Sequence, residues 1–314
     1  MNRPSARALR IASLLFFCWA ASAEGAEAPT ATPPTEGFGL LVMAHGGGVE
    51  WNRTVLDAVE PLRARYPVEV AFGMADACSI QEAATKLESR GAHRIGVARL
   101  FVSGESWRER TEQILGLRDG APASTGSGPV PVECAGAHGA EGHHEMAFFR
   151  LDNDATFAMT HEGLLDAPEM GTILAERASA LSKDPPHEDV LVLAHGPEDD
   201  AENERWLAAL DARAAEVRAA LPFHRVGVQT LREDWPAKRK AAEEWIVAFV
   251  AKAESEGRRV IVVPYRLVGF GPFAKVFEGH AFVADERGLL PHEKVTDWIA
   301  RQAEELRAGT GEQH

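Results

Sequence analysis

One short apolar sequence occurs twice in the chain, and each copy ends in the tripeptide Ala-His-Gly. The first copy spans residues 40–46 and the second spans residues 190–196. An unbroken run of Val and Leu is typical of a strand that is buried on both faces of a parallel sheet. His45 and His195 then lie at the carboxyl ends of two such strands, where open α/β sheets bind ligands. The repeat predicts an α/β protein with an internal duplication.

The elements that follow each copy come in the same order. The strand ending in His precedes a helix with an early Asn (Asn52, Asn203), a strand, a helix, and a strand ending in a Gly-containing loop. This alternation favours right-handed crossovers and two small parallel sheets flanked by helices. We predict strands at 37–45, 68–72, 94–102, 189–195, 224–230 and 258–263, and helices at 52–66, 79–90, 107–117, 167–182, 199–220, 235–256 and 293–307. Further short strands are expected within 148–159 and 280–285, and Ser79 is expected as a helix N-cap, because Ser79 to Glu82 fits a capping box.

The amino-terminal 23 residues have the three parts of a secretory signal peptide. Three arginines within the first ten residues precede an apolar segment at 11–20 and an Ala-Ser-Ala cleavage sequence at 21–23. The apolar segment is too short to span a bilayer comfortably, so no stable membrane insertion is expected after cleavage. Residues 24–36 are rich in Ala, Pro and Thr and are predicted to form a disordered tether. The mature protein is therefore expected to be periplasmic or secreted.

Length and composition fit two globular domains. The chain has 314 residues, of which 45% are hydrophobic, and its net charge is -14. A charge of this sign argues against nucleic acid as a partner. We place the domains at 37–165 and 166–308, followed by a short tail at 309–314. The sequence is compatible with a homo-oligomer and does not decide the oligomeric state.

Two cysteines, Cys78 and Cys134, remain after signal cleavage. Export would permit a disulfide between them. The two residues lie in different contexts, the approach to a helix and a flexible loop, and sequence predicts connectivity poorly. We therefore expect two unpaired thiols.

A neutral imidazole at a sheet edge can accept a proton or bind a divalent metal. The alternative for His45 and His195 is a packed, hydrogen-bonded structural role, and it is stronger for His195 because one half of a duplicated protein often loses its site. Other His-based or nucleotide chemistry has no support. Ala44 and Ala194 stand where a histidine phosphatase needs Arg, and the chain has no G-x-G-x-x-G after its first strand, no P-loop, no G-x-S-x-G, no HExxH and no paired Cys-x-x-Cys.

Two further features bear on metal chemistry. The loop at 133–145 carries His138, His143 and His144 near two glutamates, a composition that suits borderline cations; the alternative is a polar insertion that contains His by chance. Glu105 follows the third predicted strand at the edge that carries His45. It is a candidate base or metal ligand, or else a carboxylate that favours a helix N-terminus.

These stretches together resemble the class II chelatases, above all the CbiX-type sirohydrochlorin cobaltochelatases and ferrochelatases in their long two-repeat form. The resemblance extends from Phe38 to about Leu306 and is carried, in order, by Ala44-His45-Gly46, Asn52, Val97–Gly104, Val190–Gly196, Asn203, Val262–Gly271 and Leu289–Ile299. It implies two chelatase-like domains.

The resemblance also implies an activity: insertion of Co²⁺ or Fe²⁺ into a tetrapyrrole such as sirohydrochlorin, without ATP and without an organic cofactor, in cobalamin or siroheme biosynthesis. His45 would be catalytic with Glu105, and His45, His195 and the three loop histidines would contact the metal, for which Ni²⁺ and Zn²⁺ are further candidates. The chain departs from the family where a second His usually follows the third strand, because Ser106 and Phe273 fall there. A non-catalytic exported protein that binds metal or tetrapyrrole is the alternative.

Overall fold

The structure is a computed structural model that describes residues 37–124, 134 and 146–309. Strands and helices alternate along this part of the chain. The strands are β1 (Phe38–Ala44), β2 (Val68–Phe72), β3 (Arg94–Leu100), β4 (Thr156–Met159), β5 (Glu188–Ala194), β6 (Arg225–Thr230), β7 (Arg259–Tyr265) and β8 (Val283–Ala284). The helices are α1 (Val49–Val59), α2 (Ala77–Ser89), α3 (Arg108–Ile114), α4 (Glu169–Leu181), α5 (Asp200–Ala220), α6 (Pro236–Ser255) and α7 (Glu293–Ala308).

The strands form two four-stranded sheets with the same topology. Their orders are β2-β1-β3-β4 and β6-β5-β7-β8, and all pairs are parallel. In register, Ala44 pairs with Leu100 and Ala194 pairs with Tyr265, so the central strands of each sheet end together. The predicted fold of two small parallel sheets flanked by helices is confirmed. The strands expected within 148–159 and 280–285 are the short outer strands β4 and β8.

Alternate side chains of β1 enter different apolar cores. Leu40 and Val42 belong to a core that also contains the buried faces of α1, α4, α5 and α7 and reaches the second sheet. Leu41 and Met43 point into a separate core beneath α2 and α3. This period of two is the geometry of a strand buried on both faces. The helices between the sheets therefore bind the two copies of the repeat together through one continuous core.

The last helix, α7, packs on the first sheet rather than on the second. Leu306 covers Gly96 of β3, where a side-chain Cβ would lie only 2.9 Å from the Cβ of Leu306. Thr296 donates a hydrogen bond of 2.7 Å to the carbonyl of Ala58 in α1. Trp298 is fully buried, and its indole N–H donates to Glu162 at 3.0 Å. The carboxyl end of the chain thus completes the core of its amino-terminal half.

Two local expectations are wrong. Asp76, not Ser79, is the N-cap of α2: its side chain accepts from the Ser79 N–H at 2.9 Å, and its backbone is extended. Both residue types can cap, so the choice depends on where the chain leaves the extended conformation. The first helix ends at Val59 and continues as a 3-10 segment, Glu60–Ala64, because Pro61 cannot supply a backbone N–H to an α-helix.

The expected pair of free thiols is also wrong, because Cys78 and Cys134 form a disulfide. Cys78 lies in the first turn of α2, and the Cα atoms are 5.5 Å apart, within the usual range for a disulfide. The bond joins residues 56 apart in the chain, so neither the helix nor the loop composition could reveal it.

Several predicted features lie outside the described residues: the signal peptide at 1–23, the tether at 24–36, the loop histidines His138, His143 and His144, and most of the tail at 309–314. Within residues 37–124, 134 and 146–309, no helix is long and apolar enough to cross a membrane.

Candidate functional site

His45 and His195 occupy equivalent positions, one residue beyond β1 and one residue beyond β5. The next residue in each copy, Gly46 or Gly196, has a left-handed backbone with φ of +84° or +80°. A Cβ at Gly196 would lie 2.6 Å from the Cβ of Thr230, so only glycine fits this turn. The backbone carbonyl of each His accepts from the loop after the neighbouring strand, from Gly73 at 3.1 Å and from Arg232 at 2.6 Å. The Ala-His-Gly sequence therefore builds the same strand end twice.

The imidazole of His45 is exposed, and its Nδ1 lies 2.8 Å from the carbonyl oxygen of Gly46. A carbonyl can only accept, so this contact requires the proton on Nδ1 and leaves a lone pair on Nε2 of the neutral ring. The indole of Trp51 lies edge-on to His45 with ring centroids 6.5 Å apart. His45 thus presents an imidazole nitrogen that can take a proton or a metal ion.

His195 is half-buried and packs edge-on against Trp206 of α5, with ring centroids 4.8 Å apart. Burial, together with smaller effects of the charges of Arg266 and His45, lowers the pKa of His195 to about 4. His195 is therefore neutral near pH 7.

The early asparagines fix the loops around these histidines. Asn52 of α1 accepts from the Gly47 N–H at 2.8 Å, and Asn203 of α5 accepts from the Thr230 hydroxyl at 2.6 Å. Trp51 and Trp206 come from the same two helices and flank the two rings. Sequence reasoning missed the tryptophans, although Trp51 directly precedes Asn52 in the chain.

Glu105 lies in the loop after β3, and both of its carboxylate oxygens accept from Arg205 of α5. The Nε contact is 2.8 Å and the Nη2 contact is 2.7 Å. This pair of hydrogen bonds is the main cause that lowers the pKa of Glu105 below its ordinary value. Glu105 is consequently a weak base, and its lone pairs are engaged by the guanidinium. The structure brings it to the predicted edge but couples it to Arg205.

A buried arginine holds the loop that carries Glu105. Arg99 of β3 is only 1% exposed and donates to three backbone carbonyls: Ser106 at 2.7 Å, Thr160 at 3.3 Å, and Gly104. Burial lowers its pKa to about 10, so it remains charged at neutral pH. Arg99 thereby ties the carboxyl ends of β3 and β4 together. Its position inside an otherwise apolar strand was the sequence signal for this role.

A cavity of about 120 Å³ lies between the loops after β3 and β4 and the helix α5. Its wall includes Glu105, Arg108, Arg205 and Trp206, together with His161, which sequence reasoning missed. His161 follows β4, and its Nε2 lies 3.6 Å from an oxygen of the buried Glu112. The loops meet so closely that a Cβ on Gly104 would lie 2.0 Å from the His161 carbonyl oxygen. The cavity wall is part polar and part apolar, contains both signs of charge and includes Trp206, whose ring packs against His195.

No protein-family model matches the sequence, and a search of curated proteins finds no match. Solved structures do match. A multi-domain protein of Deinococcus radiodurans, described as structurally similar to chelatases, is 18% identical with a TM-score of 0.53, covering 86% of this chain and 55% of that protein. This chain therefore spans about half the length of that protein.

SirB from Bacillus subtilis, determined with Fe³⁺, is 13% identical with a TM-score of 0.57, and the match covers 88% of this chain and 99% of SirB. The sirohydrochlorin chelatase SirB of the subspecies spizizenii, in complex with cobalt, is 12% identical with a TM-score of 0.55 and the same coverage. The chain has a class II chelatase-like fold. Sequence identities of 12–18% show the fold alone. The functional site of this chelatase-like fold is therefore identified from the residues of this chain.

Across residues 37–124, 134 and 146–309 of the chelatase-like fold, no group of three or more His, Cys, Asp or Glu side chains is arranged to hold a metal ion. His45 and His195 are thus not part of a closed structural metal site formed by described residues. An ion at His45 would need further ligands from water or from the molecule that receives it.

Proposed function

We propose that this protein is a sirohydrochlorin chelatase-like enzyme that inserts Co²⁺ or Fe²⁺ into a tetrapyrrole without ATP. The observation that carries the proposal is the position of His45: an exposed imidazole with a lone pair on Nε2, at the carboxyl end of a central strand of a chelatase-like fold. The neutral His195 occupies the equivalent strand end of the second sheet. The solved structures determined with Fe³⁺ and with cobalt support a metal as the substrate ion.

Metal insertion requires two pyrrole N–H protons to leave while one divalent ion enters. Nε2 of His45 can accept a proton or hand over the ion, and both tasks need the unprotonated nitrogen that the Gly46 contact leaves available. His195 stays uncharged because burial lowers its pKa, so it does not repel the incoming cation. Glu105 is the weaker candidate for the base, because Arg205 holds both of its oxygens.

The direct test is to incubate the purified protein with sirohydrochlorin and Co²⁺ and to follow the absorbance of the macrocycle. We expect a rate above the protein-free rate, and a loss of about 100-fold or more in His45→Ala if His45 moves the proton. His187→Ala is the matched control, because His187 is exposed and lies outside the strand-end loops, in the 3-10 segment Pro185–His187. No acceleration by the wild type would overturn the enzyme, and an active His45→Ala would overturn the site.

A second candidate is an exported protein that binds metal or tetrapyrrole without turnover. The hydrogen bonds from Arg205 to both oxygens of Glu105 favour this candidate. They occupy the carboxylate that would act together with His45 in a two-residue catalytic site. The two functions differ in one measurement. A binding protein changes the absorption of the macrocycle stoichiometrically on mixing and leaves the subsequent rate of metal insertion at the protein-free value.

We further infer that the protein works outside the cytoplasm, in the periplasm or as a secreted protein. The disulfide between Cys78 and Cys134 supports this, because stable disulfides are typical of oxidising compartments. The signal-peptide pattern at 1–23 supports it independently. Cell fractionation followed by intact-mass measurement is the test: we expect an extracytoplasmic protein that begins at Glu24, and an unprocessed cytoplasmic protein would contradict this.

The His-rich loop is proposed as an accessory metal-binding tract. Calorimetry with Co²⁺, Ni²⁺ and Zn²⁺ can compare the wild type with a variant in which His138, His143 and His144 are all replaced by Ala. We expect weak binding that the triple replacement removes, since imidazole prefers these borderline ions. Unchanged binding would leave His45 and His195 as the histidines to test next.

A further inference from the structure

The ion pair between Glu105 and Arg205 joins the two copies of the repeat. Glu105 belongs to the loop after β3 in the first sheet, and Arg205 belongs to α5, which follows β5 in the second. The residues are 100 positions apart in the chain. Two parallel hydrogen bonds of 2.8 and 2.7 Å connect the guanidinium to the carboxylate, which is the planar arrangement in which arginine recognises carboxylates.

This pair has little to do with stability. Its side chains are 56% exposed for Arg205 and 52% exposed for Glu105, and exposed ion pairs contribute little to folding. Its location is more informative. Both residues line the cavity of about 120 Å³, and the next residue after Arg205 is Trp206, which packs on His195. A carboxylate-binding fork therefore stands at the wall of a cavity that adjoins the histidine edge.

We propose that Arg205 is a docking point for a carboxylate of the ligand, and that Glu105 occupies this point until the ligand displaces it. The proposal rests on the proposed function for the identity of the ligand, a tetrapyrrole that carries carboxylate side chains. When the carboxylate of Glu105 leaves, Arg205 and Arg108 remain in the cavity wall together with Asp166, and the charges of Glu202 and Asp199 also act on Arg205. The incoming carboxylate then reproduces the two hydrogen bonds that Glu105 gives up.

The surrounding backbone allows the ligand carboxylate to replace Glu105 with only a small conformational change. Arg99 fixes the carbonyls of Gly104 and Ser106, and the Glu105 N–H donates to the Ser103 hydroxyl at 3.1 Å. The loop is thus held on both sides of Glu105, so only the side chain of Glu105 has to rotate away. Displacement needs no rearrangement of either sheet.

Uroporphyrin III, a tetrapyrrole with eight carboxylates, is a suitable probe, and its binding is measured from its absorbance. Glu105→Gln removes the competing charge, so we expect about twofold to fivefold tighter binding, the range that loss of an exposed ion pair permits. Arg205→Gln removes the bidentate donor, and we expect roughly tenfold weaker binding or more. The double variant should bind as Arg205→Gln does, because Glu105 acts only by competing for Arg205.

Glu82→Gln is the matched control. Glu82 pairs with Lys86 at 2.7 Å on α2, and the side chains are 50% and 53% exposed, close to the values for Glu105 and Arg205. We expect its dissociation constant to equal that of the wild type. Weaker binding of uroporphyrin III by Glu105→Gln, or unchanged binding by Arg205→Gln, overturns the docking role of Arg205. Binding of uroporphyrin III by the wild type would still support a tetrapyrrole as the ligand in that case. Failure of every variant and of the wild type to bind both uroporphyrin III and sirohydrochlorin overturns the proposed function together with the docking role.

Discussion

The imidazole of His195 meets the indole of Trp206 edge-on, at a centroid distance of 4.8 Å and an interplanar angle of 88°. His45 holds the same place in the first copy of the repeat, yet its ring is exposed and lies 6.5 Å from the nearest tryptophan contact, Trp51. The duplication therefore conserved the strand end and the turn but gave the two imidazoles different surroundings. Only His45 is freely reached from solvent.

The pKa of His195 provides a first prediction. Burial beside Trp206 lowers it to about 4, so His195 should not titrate between pH 5.5 and 8. The C2-proton resonance of His195, assigned by comparison with His195→Gln, is the measurement. A midpoint near the ordinary value of 6.5 would contradict the buried, neutral ring.

The same shift predicts how stability depends on pH. Between pH 6.5 and about 4 the unfolded chain binds a proton at His195 and the folded protein does not. The stability that this residue supplies is thus present above pH 6.5 and is lost as the pH falls towards 4. Urea unfolding at pH 7 and pH 4.5 should show a smaller difference for His195→Gln than for the wild type. The exposed His187→Gln should behave like the wild type.

Arg99 is expected to be a strong determinant of stability. Arg99→Met leaves the carbonyls of Ser106, Thr160 and Gly104 without their buried donor, which should cost about 2–4 kcal/mol of unfolding free energy. Chemical denaturation measures this directly. Arg53→Met, at an exposed position of α1, is the control and should change stability by no more than about 0.5 kcal/mol. Equal midpoints for the two variants would show that Arg99 does not anchor the loops.

The disulfide between Cys78 and Cys134 should stabilise the protein by about 4 kcal/mol, from the closure of a chain segment with a sequence separation of 56. Cys78→Ser and Cys134→Ser should each lower the unfolding free energy by the same amount. Reductant should lower that of the wild type equally and leave both variants unchanged. A reductant effect that persists in either variant would place the cause elsewhere.

Trp298 tests the docking of α7 on the first sheet. The side chain is fully buried and donates to Glu162 at 3.0 Å, so Trp298→Ala should cost about 3–5 kcal/mol. Trp245→Ala on α6 is the control, because Trp245 is 41% exposed and should cost much less. A loss for Trp298→Ala as small as the one expected for Trp245→Ala would argue that α7 contributes little to the core.

Much of the fold could be predicted because local patterns of apolar residues in the sequence determine it. The apolar runs before His45 and His195 fix two central strands, and their carboxyl ends fix the edge where the site lies. The pairing of Glu105 with Arg205 could not be predicted in this way, since it joins residues 100 apart. His161 was missed for a similar reason. It reaches the cavity only because β4 pairs with β3, and a four-residue strand gives a weak sequence signal.

The position of α7 has a consequence for biogenesis. The chain is made, and if exported is translocated, amino end first, whereas the apolar face of β3 is covered by residues of the last helix. The first sheet therefore cannot bury this face until residues 293–308 have emerged. During that interval the uncovered apolar surface of β3 can associate with other unfolded chains, and this risk of aggregation ends only when α7 docks.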